Sequence, residues 1–259
     1  MKRRNFLLAS TLGVAGALGA YITAANVLTG APAPAPLRPH EGKHMRVLLL
    51  GASGMVGGEV LRACLAHDNV SHVSALVRRP LGVEHAKLVQ TVHSDFSDFS
   101  ALDLRGFDAC IYCIGAYTGT LDDAAYERVL LTIPCAFADE LHRQNAGITL
   151  CYMTGGGADE TEQSRAAYAR LFGKSENHIK RLGFARLHIF RPGYIYPVTP
   201  RKEPTLAYSL MRLLYKPLLS HLPGSTTSEQ LARVMLDVAL SDGGKAIYEN
   251  ADITAHFGQ

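Results

Sequence analysis

Seven residues, Gly51-Ala52-Ser53-Gly54-Met55-Val56-Gly57, follow an apolar β-rich run directly and open a helical pattern. Each glycine has a mechanical task in that setting. Gly51 permits a tight turn, Gly54 lets backbone N–H groups approach a pyrophosphate, and Gly57 lets the helix pack close to the strand, while the backbone of Ala52, Ser53, Met55 and Val56 completes the cradle. The helix N-terminus adds partial positive charge. A glycine-rich turn alone marks many ordinary loops, but one placed between strand and helix inside a βαβ series points to a dinucleotide.

The second apolar run ends Val77-Arg78-Arg79, where NAD binders place an Asp or Glu for the ribose hydroxyls. Two arginines there favour a 2′-phosphate, so NADP(H) is expected over NAD(H); the alternative is a pair of solvated loop charges. After the third run, Asp95, next to Phe96, is placed to bond an adenine amino group, and Asp98 to cap a short helix. The fourth run ends Cys113-Ile114-Gly115, and the small Gly115 lets backbone lie against the cofactor.

These motifs need a frame. Apolar runs at 47–50, 72–77, 88–93, 109–114, 148–153 and 187–190 alternate with helical patterns at 55–67, 122–145, 162–182, 205–219 and 228–240. Runs with little polar alternation are those of a sheet covered on both faces. The expectation is an α/β fold: a Rossmann-like doubly wound parallel sheet with a small C-terminal helical part for substrate. Pro134 should kink or break the second helix. The 206–222 segment reads as a helix over the substrate pocket, or alternatively as a membrane-surface helix.

The 259 residues carry a formal charge of +3, unevenly. Lys2, Arg3, Arg4, Arg38 and Lys43 against Glu41 put +4 in residues 1–44 and leave −1 for the remaining 215. The body has no surplus for a nucleic-acid backbone. No motif suggests a metal, and His142, His178 and His188 read as structural or surface residues. Five cysteines, an odd number in apolar segments, read as reduced thiols; Cys110 and Cys113, three apart on a strand, should face opposite sides of the sheet.

Residues 45–255 resemble the extended and atypical short-chain dehydrogenases, in the NAD(P)H-binding, epimerase-like branch of the HIV transactivator-interacting oxidoreductase. The likeness is carried by the glycine cradle, Val77-Arg78-Arg79, Cys113-Ile114-Gly115, Gly157-Ala158-Asp159, Phe190-Arg191-Pro192-Gly193 and Ile247-Tyr248-Glu249-Asn250. The resemblance implies an NADP-binding oxidoreductase acting on a small carbonyl or alcohol, with Pro192 and Gly193 near the cofactor. It further implies that Thr154 orients the substrate oxygen and that Lys174 holds the nicotinamide ribose.

The family's proton-transfer Tyr, four residues before the Lys, is replaced by Arg170. Tyr168, the nearest phenol and the remaining catalytic candidate, stands six residues before Lys174 and about 120° away on a helix. Tyr117 and Tyr194 are the other phenols near the cofactor edge. The departure admits a second reading, a non-catalytic NADPH-binding sensor or assembly protein. Gly155-Gly156-Gly157 reads as a flexible loop beside the nicotinamide. Substrate identity and oligomeric state are not written in the sequence.

The N-terminus carries its own instruction. Residues 1–30 join Lys2-Arg3-Arg4 to an apolar Ala/Gly-rich stretch, which resembles a twin-arginine signal and offers membrane attachment through residues 6–28, so the protein is expected to be exported or held at the inner membrane. Residues 31–44 alternate Ala and Pro into an extended spacer ahead of the 45–259 domain. Translation from Met45 would instead leave a cytoplasmic protein.

Overall fold

Apolar runs become strands here because nearly every one is buried on both faces. A computed structural model describes residues 36–40, 42–117, 120–201, 206–215 and 224–257. Its strands are β1 (Met45–Leu50), β2 (Val70–Val77), β3 (Leu88–Val92), β4 (Ala109–Tyr112), β5 (Thr149–Met153) and β6 (Arg186–Arg191). Three short ones follow: β7 (Tyr194–Tyr196), β8 (Ser225–Thr227) and β9 (Ile247–Glu249). Seven strands form one parallel sheet in the order β9-β6-β5-β4-β1-β2-β3, while β7 and β8 pair separately.

Helices cover both faces: α1 (Met55–Ala66), α2 (Asp123–Glu127), α3 (Ile133–Asn145), α4 (Ala167–Leu182), α5 (Leu206–Tyr215), α6 (Ser228–Ala239) and α7 (Asn250–Ala255). Strand periodicity sorts the core. Val47 and Leu49 pack with Val60 of α1 and Met235 of α6, whereas Leu48 and Leu50 pack with Phe137 of α3 and Ile179 of α4. Each fully buried Leu or Val contributes about 1.5–3 kcal/mol. Cys110 and Cys113 fall into these two different clusters, and all five cysteines are free.

The chain enters the sheet at its centre, builds β1, β2 and β3 to one side, then crosses to β4 on the other. The segments that leave the paired C-terminal ends of β1 and β4 run to helices on opposite faces of the sheet, and a crevice opens where the strand order reverses. The glycine cradle, Arg78, Asp95, Gly115, Thr154 and Pro192 each follow a strand at this edge.

Two helix boundaries differ from the sequence pattern. Pro134 does not break its helix: a π-turn at Arg128–Thr132 joins α2 to α3, which places the proline in the first turn of α3, where no N–H is needed. The 162–182 helix begins only at Ala167. Ahead of it the Asp159 carboxylate takes the N–H groups of Thr161, Gln163 and Ser164 at 3.0, 2.9 and 2.6 Å, folding a turn that competes with helix.

The expected leader and residues 31–35 of the spacer lie outside the described residues. No helix among the described residues is long and apolar enough to cross a membrane. The described part of the spacer, 36–40 and 42–44, is docked, contrary to a free extended segment. Arg38 and Pro39 pair antiparallel with Asp242 and Ser241, the His40 N–H donates to the Leu240 carbonyl at 3.1 Å, Leu37 packs on the core, and Lys43 pairs with Asp108 at 2.9 Å. A chain starting at residue 45 should melt about 2–8 °C below one starting at residue 36, the shift for about 1–2 kcal/mol, by scanning calorimetry. Equal melting would show that the strap contributes nothing.

Candidate functional site

The turn after β1 is built by exclusion. Gly51 has φ +84°, and a Cβ there would stand 2.7 Å from the Cys113 carbonyl carbon and oxygen. A Cβ on Gly57 would lie 2.1 Å from the Gly51 carbonyl oxygen, so α1 presses on the turn at a distance only glycine allows. The Gly54 N–H closes the turn on the Gly51 carbonyl at 2.8 Å. No side chain caps α1, which leaves its first N–H groups for a ligand. Ser53 is exposed at this opening, and Ala52 and Val56 are buried beneath it.

Arg78 and Arg79 follow β2, exposed and without an ion pair among the described residues. With Ser53 and Arg62 they line a cleft of about 610 Å³ between α1 and the 78–83 loop. Asp95 lies on the next loop. Its carboxylate takes the Ser97 hydroxyl and N–H, which hold it below the usual carboxylate range, and Arg128 stands 3.8 Å away. Phe96 turns inward instead and packs edge-on against Phe99, so its ring belongs to the core. Asp98 accepts the Ser100 N–H at 2.8 Å. Cys113 is buried, its thiol pushed up by desolvation, while Ile114 is half-buried and Gly115 open at the crevice.

The other side of the crevice is occupied by a charge cluster. Thr154, just past β5, is 7% exposed and its hydroxyl donates to Glu176 at 2.7 Å. That proton is spent on a carboxylate rather than aimed at a substrate oxygen. Glu176 is fully buried on α4 and meets the Arg191 guanidinium, whose Nε reaches its two oxygens at 3.0 and 3.2 Å and whose Nη2 also bonds it. Arg191 further holds Glu160 at 2.8 Å and Glu249 at 3.1 Å. Burial alone would lower the Arg191 pKa, but the three carboxylates raise it above its ordinary value. Arg191 and Lys180 draw Glu160 down, while burial outweighs Arg191 and pushes Glu249 up.

Around this cluster the remaining candidates separate. Lys174 is half-buried on α4, and its ammonium has no partner among the described residues. Tyr168 packs with Tyr126, Leu130 and Leu171 under the loop that holds Ala116. Arg170, in the place of the family phenol, donates to the Ser164 carbonyl and fastens the Asp159 turn. Gly173 is there for contact, since a Cβ would sit 1.8 Å from the Asp159 carbonyl oxygen. The triple glycine is held, not loose: the Gly156 N–H donates to the Pro192 carbonyl at 2.7 Å, and a Gly155 Cβ would meet the Phe172 ring at 3.0 Å. Pro192 is buried, and Gly193, exposed, approaches Gly224 so closely that a Cβ would stand 2.1 Å from its carbonyl oxygen.

The sequence reading missed Glu176, Glu160 and Glu249 as the partners of Arg191, and missed Arg62. One signal was available for Glu176: it interrupts the apolar stripe of Leu171 and Ile179, where a charge needs a buried partner. Removing one member of this pair strands the other. Glu176→Ala should therefore cost about 3–5 kcal/mol in urea denaturation, whereas Glu160→Ala, half-exposed, should cost under about 1 kcal/mol. Equal losses would contradict a hub centred on Arg191 and Glu176.

No family model matches the chain. Among curated proteins, the mitochondrial protein fmp52 of Aspergillus clavatus is 31% identical over 159 residues, 58% of this chain and 66% of its own length. The protein HTATIP2 of Rattus norvegicus is 29% identical over 154 residues, 58% of this chain and 62% of its own. The chain thus spans just under two thirds of these relatives. Among solved structures, the Bordetella bronchiseptica enzyme WbmH in complex with NAD+ superimposes with a TM-score of 0.57 at 14% identity, covering 79% of this chain and 74% of that one. The UDP-N-acetylglucosamine 4-epimerase of Methanobrevibacter ruminantium gives 0.58 at 12% identity, covering 80% and 76%. At such identities the structures speak to the fold, and the relatives narrow it. Sheet order and glycine cradle give this chain the Rossmann-like fold of the NAD-binding epimerase-type structures, and its sequence is similar to HTATIP2 and the fmp52 proteins.

Proposed function

We propose that the chain is an NADP(H)-dependent oxidoreductase acting on a small carbonyl or alcohol. The observation that carries this reading is the uncapped N-terminus of α1 behind Gly51 and Gly57, joined by one cleft to the unpaired Arg78 and Arg79. The N–H groups at the start of α1 and Ser53 take the pyrophosphate, and the arginines take the 2′-phosphate. Asp95 stands near the adenine, Gly115 leaves room for the dinucleotide along β4, and Lys174 is a free cation for the nicotinamide ribose. The cofactor supplies hydride chemistry at its nicotinamide C4. That WbmH was solved with NAD+ supports a nicotinamide dinucleotide; the choice of NADP(H) rests on the arginines.

One observation favours a second reading, an NADPH-binding protein that reports occupancy to a partner without turnover. Thr154 and Arg170 both have structural bonds, to Glu176 and Ser164, so neither of the usual proton-handling positions faces a substrate. Tyr117 is a phenol beside the cradle, with its hydroxyl 3.8 Å from the Met55 sulfur and its ring against Tyr208. For either reading the leader is a targeting segment, read out by N-terminal sequencing of membrane and soluble fractions.

Calorimetric titration of the purified chain should show NADPH binding at least about tenfold tighter than NADH, the worth of about one charge-assisted contact, and Arg78→Gln should erase most of that gap. Equal affinities would remove the NADP(H) assignment. In an aldehyde and ketone screen followed by NADPH absorbance, turnover that falls in Lys174→Ala supports the enzyme. Intact binding with no turnover supports the sensor.

A further inference from the structure

We propose that Arg62 is a third cation of the phosphate cleft, that it sets the choice between NADPH and NADH together with Arg78 and Arg79, and that Thr199 aims it. The inference rests on reading the cleft as the 2′-phosphate site. Arg62 lies on α1, five residues past Gly57, and lines the cleft with Ser53, Arg78 and Arg79. Its placement is built rather than incidental. The Nη2 group donates to Glu59 at 2.7 Å and to Thr199 at 3.0 Å, Thr199 in turn donates its hydroxyl to Glu59 at 2.9 Å, and the Arg62 Nε donates to the Gly58 carbonyl at 3.3 Å. Three groups close a ring of hydrogen bonds around one guanidinium edge.

The opposite edge is unspent. Nη1 has no partner among the described residues, although the side chain is 58% exposed. A guanidinium held by one edge presents the other in a fixed plane, which suits a phosphate oxygen and lowers the ordering cost of binding. Charge agrees. Arg62, Arg78 and Arg79 less the buried Glu59 give the cleft +2, which matches the charge of about −1.5 to −2 on a phosphate monoester at neutral pH.

An arginine paired with a glutamate three residues away on a helix is commonly a surface ion pair of little weight. Two features set this one apart. Glu59 is only 7% exposed and so needs its cation, and Thr199 reaches the pair from 137 residues along the chain. Thr199 belongs to the segment that leads to α5, so the same ring links cofactor choice to the C-terminal part. Thr199 acts as a positioning residue, through Arg62.

The test is calorimetric titration of the full chain with NADPH, NADH and adenosine 2′,5′-bisphosphate. Arg62→Gln should weaken NADPH and the bisphosphate about tenfold and NADH less than about twofold; Thr199→Val should move the same two ligands about threefold and leave NADH unchanged. NADH binding and melting temperature show that each variant is folded. A merely structural Arg62 would weaken all three ligands alike or none, and either result overturns the inference. If Arg78→Gln erases the discrimination and Arg62→Gln does not, Arg62 is excluded while the cleft reading stands. If the unmodified chain does not discriminate, both fall.

Discussion

Everything at the crevice depends on how closely α1 can approach the turn after β1. Gly57 is pressed on the Gly51 carbonyl at the start of α1, and the same Gly51 touches the Cys113 carbonyl at the end of β4. One contact thus fixes the helix direction and the width of the opening. A side chain at either glycine would have to displace backbone, which is held on both faces by packed cores. The shape of the cradle is thus set by backbone packing alone.

The opposite wall is organised by charge. Arg191 ties β6 to α4, to the loop after β5 and to β9 through three carboxylates. A buried pair of this kind gains little over an apolar core of the same shape, but it is costly to break and admits few alternative arrangements. Its consequence is chemical. Thr154 joins the cluster and Arg170 secures the neighbouring turn, so both side chains are engaged in holding this wall together. Lys174, on the same helix as Glu176, has no partner among the described residues.

What the sequence disclosed follows from the physics of each element. Strands buried on both faces announce themselves as apolar runs, and β1 to β6, including the more exposed edge strand β3, were legible to within two residues at their starts and ends. β7, β8 and β9 are each only three residues long, so none has enough pattern to stand out. The late start of α4 was hidden because a single Asp159 side chain captures three N–H groups, a local competition that periodicity does not register. The glycine cradle was readable because its spacing is dictated by backbone contact alone. The partners of Arg191 come from segments distant in sequence, as does Thr199 beside Arg62, and no local spacing connects them; only Glu59 and Gly58 are near neighbours of Arg62.

The central claim is that the crevice and its arginine cleft hold one NADP(H) molecule. A crystal structure of the chain grown with NADPH tests it most directly. The account predicts the pyrophosphate over the first N–H groups of α1 and the 2′-phosphate within hydrogen-bond reach, about 2.7–3.2 Å, of Arg78 or Arg79. A dinucleotide bound elsewhere, or one whose 2′-phosphate points to solvent away from both arginines, would contradict it.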